Sequence, residues 1–308
     1  MLPGSSFALP LSGGEGGPLG NLTLWGGGDY RELSGGSRRS VRYDGDVTGA
    51  HLGLDARLGG GLLAGVSVGH ARGAVDYRDG AAAGELTSTV TGIAPYAGWR
   101  SAGGLSLWAA AGYGWGEVEI DGGAGAETGD LTQQMAAAGA SGRLLASTRL
   151  SEGGTTSIRL KGEAAYTRAE LDGSGSLASA TLDASRLRLA IEGSHAQRLA
   201  SGASFTPSVE IGLRSDGGDG ETGGGVETGG GMRYADPASG LAAELRGRTL
   251  LVHGGDYEEW GVAGSLSFDP GAAGRGLAIG VAPGWGRTAS GARRLWEAGI
   301  APGAVAPG

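Results

Sequence analysis

Between residues 43 and 77 the chain reads YDGDVTGAHLGLDARLGGGLLAGVSVGHARGAVDY, and its apolar positions recur every second residue. Leu52, Leu54, Ala56 and Leu58 share one side, while His51, Gly53, Asp55 and Arg57 share the other. That is the signature of a strand with one oily and one charged face. Gly59, Gly60 and Gly61 then supply a turn, because glycine reaches positive φ without steric cost, and a second alternating run returns. The unit predicted is strand, tight turn, strand.

Runs of this kind recur along the chain at roughly 19–31, 47–58, 62–77, 85–100, 105–120, 131–146, 156–171, 184–199, 203–215, 224–235, 241–252 and 257–268. Each is long enough for a tilted strand to cross a bilayer, which takes about 9 to 11 residues. Connections alternate as well: compact turns such as LGGGL (58–62), SAGGL (101–105) and DPASG (236–240) against longer polar segments at 33–46, 121–130 and 215–225. Short turns at one end and longer loops at the other predict an all-β, up-and-down antiparallel transmembrane β-barrel of about twelve strands. The expected division is a Gly/Pro-rich linker at 1–18, the barrel at 19–268, and an extension at 269–308. In that extension 276–286 reads as one further strand and the remainder as a flexible tail. Single-chain bacterial barrels have even strand numbers, so a thirteenth strand either lies outside the ring or waits for a partner; one or two extra C-terminal strands are open at this point.

Composition sharpens this picture. The chain has 68 glycines in 308 residues, about three times the average usage of roughly 7%, which argues against helices. Disorder is a poor explanation, because 7 Trp, 8 Tyr and 3 Phe are spread through the alternating runs. A net charge of −8 gives no basic excess for phosphates, so no nucleic-acid partner is expected. There is no cysteine, hence no disulfide and no thiolate metal site. The opening MLPGSSFALPLSGGEGG lacks the basic and apolar regions of a signal peptide, which favours an excised domain.

Candidate chemistry is sparse. His51, His70, His195 and His253 stand singly, no serine sits in a G-x-S-x-G elbow, and no phosphate-binding loop occurs. Asp216, Asp219 and Glu221 could meet calcium, but without EF-hand spacing. No enzyme activity, no cofactor and no metal are expected. The charged face is the better candidate: Asp55, Arg57, Arg159, Lys161, Glu163, Arg188, Glu192, Glu210, Arg214, Glu244 and Arg246 are expected to line a lumen, where they stay hydrated or pair across strands. Trp25, Tyr77, Trp99, Trp108, Trp115, Tyr166 and Trp260 lie near the ends of runs and are expected as girdle residues at the membrane interfaces.

The ordered set of the 43–77 hairpin, PYAGWR (95–100), GLSLWAAAGYGWGEVEID (104–121), the run from 187 to 214 and that from 223 to 251 closely resembles the autotransporter β-domain, the translocator barrel of type V secretion. The resemblance covers about residues 20–268. It implies a barrel in the outer membrane of a Gram-negative bacterium, monomeric and surrounded by outer-membrane lipid. Such a barrel exports or anchors its own passenger domain, which these residues do not carry. It also implies that Phe268, closing WGVAGSLSF (260–268), matches the aromatic recognised by the outer-membrane assembly machinery. A non-secreting outer-membrane pore or surface-binding barrel is the alternative.

Overall fold

Alternation of apolar and polar positions in a chain with 68 glycines gives strands, and among the described residues no helix. The computed structural model describes residues 4–11, 22–35, 42–79, 82–122, 125–148, 154–175, 177–219, 222–254, 259–269, 277–282 and 284–286. In order the strands are β1 (Gly4–Pro10), β2 (Leu22–Gly35), β3 (Arg42–Gly59), β4 (Leu62–Asp79), β5 (Ala82–Arg100), β6 (Ser106–Asp121), β7 (Ala126–Thr148), β8 (Gly154–Gly173), β9 (Ala180–Arg198), β10 (Ser204–Gly218), β11 (Gly223–Asp236), β12 (Leu241–His253), β13 (Trp260–Phe268), β14 (Ala278–Ala282) and β15 (Gly284–Gly286).

Each strand from β1 to β13 pairs antiparallel with the next. β14 pairs with β13 on one side and β1 on the other, closing the ring. β15 continues along β13, with Gly284 opposite Ala263, so β14 and β15 together make one wall strand. The wall therefore holds fourteen strands. The parity left open by the sequence is satisfied from the other end of the chain: Gly4–Pro10, within the stretch expected as a linker, is the partner of Ala278–Ala282. Residues 12–18 of that stretch, the tail 287–308 and Glu221 lie outside the described residues.

The expected long loops are largely replaced by ladder. β2 and β3 stay paired up to Gly35 and Tyr43, and β6 and β7 up to Asp121 and Ala126. Strands such as β7, 23 residues long, far exceed the 9 to 11 or so needed for a bilayer. Their upper parts continue past it because pairing satisfies backbone groups there as well.

Side chains sort by parity. Leu52 (56% exposed), Val68, Leu107, Leu189, Val209 (71%), Ile211, Leu213 and Ile279 point outward, whereas Asp55 (2%), Arg188 and Glu227 are buried inside the ring. The outer face is a belt of Leu, Val, Ile and Ala, and the inner face holds the charges, as required when lipid replaces water outside.

Candidate functional site

Two groups of side chains on the inner face lie on different arcs of the wall, one on β2 to β5 and one on β8 to β13. On the wall of β2, β3 and β5, Trp25 Nε1 donates to Asp55 Oδ1 and to Tyr96 Oη, both at 2.9 Å, and Tyr96 Oη also donates to Asp55. Ala8, Leu63 and Ala110 pack around this triad, and the His51 ring lies tilted against Trp25 at 5.5 Å. Space for the indole comes from Gly53, directly opposite Trp25 in the ladder: a Cβ there would lie 2.3 Å from the ring.

The second group spans β8 to β13 and is ionic. Lys161 Nζ reaches Glu192 at 2.5 Å and Glu210 at 3.0 Å. Glu192 and Glu210 stand directly opposite each other, an arrangement that repels, and the lysine between them turns it into a bridge. Arg188 bonds Glu210 and Glu227 and lies 3.7 Å from Glu163, while Arg248 approaches Glu210 at 3.6 Å and Glu227 at 3.7 Å. Arg188 also faces Arg214 in register, but the two guanidinium groups are drawn to different acids. Arg214 donates to Asp216 at 2.5 Å and to Glu259 at 2.7 Å, where Arg186 joins them at 2.6 and 3.7 Å. With Arg188 and Glu227 side chains both at 3% exposure, each charge needs its partner, since an unpaired buried ion costs several kcal/mol.

Of the residues expected in the lumen, Lys161, Glu163, Arg188, Glu192, Glu210 and Arg214 come together here. Asp55 belongs instead to the aromatic triad. Glu244 and Arg246 pair with each other low on β12. Arg57 shares the face of Asp55 and is exposed beside the turn, and Arg159 lies opposite Glu192 on β8. Glu227, Arg248, Arg186, Asp216 and Glu259 complete the network; strand parity places all five on the charged face, Glu259 within the predicted run 257–268 and immediately before β13.

Three girdle assignments are corrected. Trp25 points into the lumen, as its parity opposite to Leu24 requires. Trp108 does so too, with Gly139 leaving room within 2.3 Å of its indole nitrogen. Tyr77 is on the inner side, its hydroxyl 2.7 Å from where a Cβ of Gly84 would be. In each case a glycine across the ladder provides a slot that an aromatic ring fills. Trp115 and Trp260 face outward, as do Tyr166 and Trp99, whose Nε1 donates to Gly60 O at 3.1 Å. Phe268 is also outward, opposite Leu241 and Ile279.

Among the described residues no set of His, Asp and Glu is arranged to hold a metal ion. Asp216 is engaged by arginines and Asp219 Oδ2 accepts from Asp183 N at 2.9 Å. His70 contacts Thr91, His195 contacts Thr156, and His253 lies 3.5 Å from Asp216, so the histidines stay apart.

A closed antiparallel ring with an apolar exterior and a charged, paired interior is a transmembrane β-barrel of the outer-membrane kind. The family model described as Autotransporter beta-domain matches residues 24–249, and the chain belongs to that family. It is an autotransporter translocator barrel, the membrane domain that serves a passenger. The fold is similar to the β domain of the Bordetella autotransporter BrkA (TM-score 0.53, 17% identity, covering 91% of this chain and 98% of that one). It is also similar to the transport unit of the autotransporter AIDA-I from Escherichia coli (TM-score 0.51, 14% identity, 92% and 89%). No curated protein matches the chain.

Proposed function

We propose that this barrel resides in the outer membrane of a Gram-negative bacterium, is inserted there with Phe268 as the aromatic read by the assembly machinery, and acts as a monomer without catalysis. The observation that carries the reading is the two-faced wall. Val209, Ile211 and Leu213 face outward on β10, while Glu210 and Arg214 of the same strand join the ion network. Such a wall is stable only with lipid outside and water or polypeptide inside. The charges on the inner face are paired with one another, so an extended passenger segment slides past them without leaving an ion unpartnered.

A gel of the detergent-folded chain, with and without boiling, tests the barrel: the unboiled form is expected to run faster, and identical mobility counts against it. Planar-bilayer recording separates translocator from pore. A channel that is mostly closed supports the translocator, and a steady, wide conductance supports a pore. Replacing Phe268 with Ala is expected to lower the amount of barrel in the membrane while leaving detergent folding intact.

A further inference from the structure

We infer that the outward face of β6, β7 and β8 holds one molecule of a glycolipid whose head carries phosphate. Its acyl chain lies in a groove floored by alanines, and its head sits beside Trp115 and Arg168. The site takes from the proposed membrane orientation only its assignment to the outer leaflet.

With the tight turns at 59–61, 101–104 and 237–240 as the lower end, even-numbered strands from β2 to β14 rise and odd-numbered ones from β1 to β13 descend. The belt that faces lipid is uneven. On β9 and β10 it is built of Leu187, Leu189, Ile191, Val209, Ile211 and Leu213, all exposed. On β6 to β8 the corresponding positions are small. Ala109, Ala138 and Ala164 lie side by side in one row of the ladder, with Leu107, Ala140 and Gly162 in the row below. Between the two arcs lies a groove of about 670 Å³, with Ala138, Ala140, Gly162 and Ala164 along its floor. Leu107 bounds it on one side and Leu187, Leu189 and Leu213 on the other. An acyl chain in this groove touches the floor and the leucines at once, gaining dispersion contacts that a convex wall does not offer.

A polar cluster stands directly above the groove. The next row brings Tyr166 opposite Ala136, the row above it holds Tyr113, Gln134 and Arg168, and Trp115, Thr132 and Glu170 follow. Tyr113, Trp115 and Tyr166 are exposed, and the rings of Tyr113 and Trp115 lie 6.2 Å apart, tilted by 31°. Glu170 Oε1 accepts from Arg168 Nε at 2.7 Å and from Nη2 at 2.6 Å, and Asp183 is directly opposite Arg168 on β9. Aromatic rings at this height are expected of any barrel. Their company is not: a guanidinium, two carboxylates and an amide adjoin one another above the groove, whereas on β10 the belt ends at Leu213 and gives way to Ser215 and Gly217. The guanidinium presents a planar donor fork to phosphate. The carboxylates accept from sugar hydroxyls, the amide can donate or accept, and the indole offers a flat apolar face. A second copy of the barrel fits less well, because a two-fold contact sets groove against groove.

The test folds the full chain in detergent, adds lipid, and reads the retained lipid by native mass spectrometry. The probes are lipid A, whose head is a phosphorylated disaccharide, phosphatidylglycerol, with phosphate and no sugar, and a neutral glycosyl diacylglycerol, with sugar and no phosphate. One lipid A per barrel is expected to be retained in preference to the other two. Arg168→Gln is expected to weaken that retention about tenfold, the loss of one charge-assisted contact. Ala138→Leu, which fills the floor of the groove, is expected to abolish the preference, and Val209→Leu, on the lipid face outside the groove, to leave it unchanged. Heat-modifiable mobility on a gel shows that each variant has folded. Equal retention of the three lipids, or a preference left unchanged by either Arg168→Gln or Ala138→Leu, overturns the proposal. So does a dimer that Ala138→Leu dissociates, since the groove then takes a second copy. A parent barrel that shifts on heating yet prefers no lipid loses the site and keeps the membrane reading; a chain with no heat shift loses both.

Discussion

Trp25 shows how much rests on single positions. Its indole spans Asp55 and Tyr96, and it fits only because residue 53 has no side chain. Ala at position 53 is expected to push the ring off both partners. Overpacking of this kind costs about 1–3 kcal/mol, and the loss should appear as a lower denaturant midpoint and altered tryptophan fluorescence. The ionic wall makes a second case. Glu227→Ala leaves Arg188 and Arg248 sharing fewer carboxylates, with Arg188 still buried. Removing one partner of a buried pair typically costs about 3–5 kcal/mol. A double-mutant cycle with Arg188→Ala is expected to show coupling, the double variant losing less than the two single losses added together. Much of this was legible: parity alone put Arg188, Glu210 and Arg214 on one face. Trp25, Tyr77 and Trp108 lie near the ends of predicted runs, as girdle residues do, but their parity is that of the inner face. The alternation LTLW already sets Trp25 opposite to Leu22 and Leu24, and only the facing glycine, distant in sequence, shows why a large ring is tolerated there.

At the level of elements, the ladder extends further than the polar composition suggested. Segments rich in Asp, Gly and Thr look like loops when read alone, yet each finds a partner strand already in register from the membrane below. β1 escaped for the opposite reason. GSSFALP is 7 residues long, ends in Pro, and lies beside a Gly-rich stretch, too short for alternation to outweigh its turn residues; its pairing is supplied by β2 and β14, which no local pattern can show. The turn between β11 and β12 depends on Asp236, whose carboxylate accepts from the Ser239 hydroxyl at 2.8 Å and from Ala238 N at 3.0 Å. These bonds, the serine one foremost, hold its pKa below the ordinary 3.8. A carboxyl lowered on folding contributes stability above its ordinary value and loses it as pH falls through the lowered one. Asp236→Ala is therefore expected to lower the thermal midpoint at neutral pH, with the gap to the parent narrowing once pH drops below 3.8. An equal gap at every pH would remove the carboxylate from the account.

For the whole molecule the decisive quantity is parity. An antiparallel ring closes only if its first and last strands run in opposite directions. With all wall strands present, β1 descends and β14 rises, so they pair. Deleting residues 1–18 alone leaves β14 beside β2, and both rise. Deleting 269–308 alone leaves β1 beside β13, and both descend. Either deletion forces two edges together in the wrong sense, and edges left unpaired in lipid cost several kcal/mol for each unsatisfied backbone group. Deleting both segments brings β2 against β13, which run oppositely, and also makes Phe268 the final residue, the position that the family resemblance gives to the assembly aromatic. The doubly shortened chain is therefore expected to fold in higher yield than either singly shortened one, although it has lost more of the wall. The yield is read as the heat-modifiable fraction on a gel after folding in detergent. If damage instead grows with each segment removed, β1 and β14 contribute independently, and the ring does not depend on strand direction at that seam.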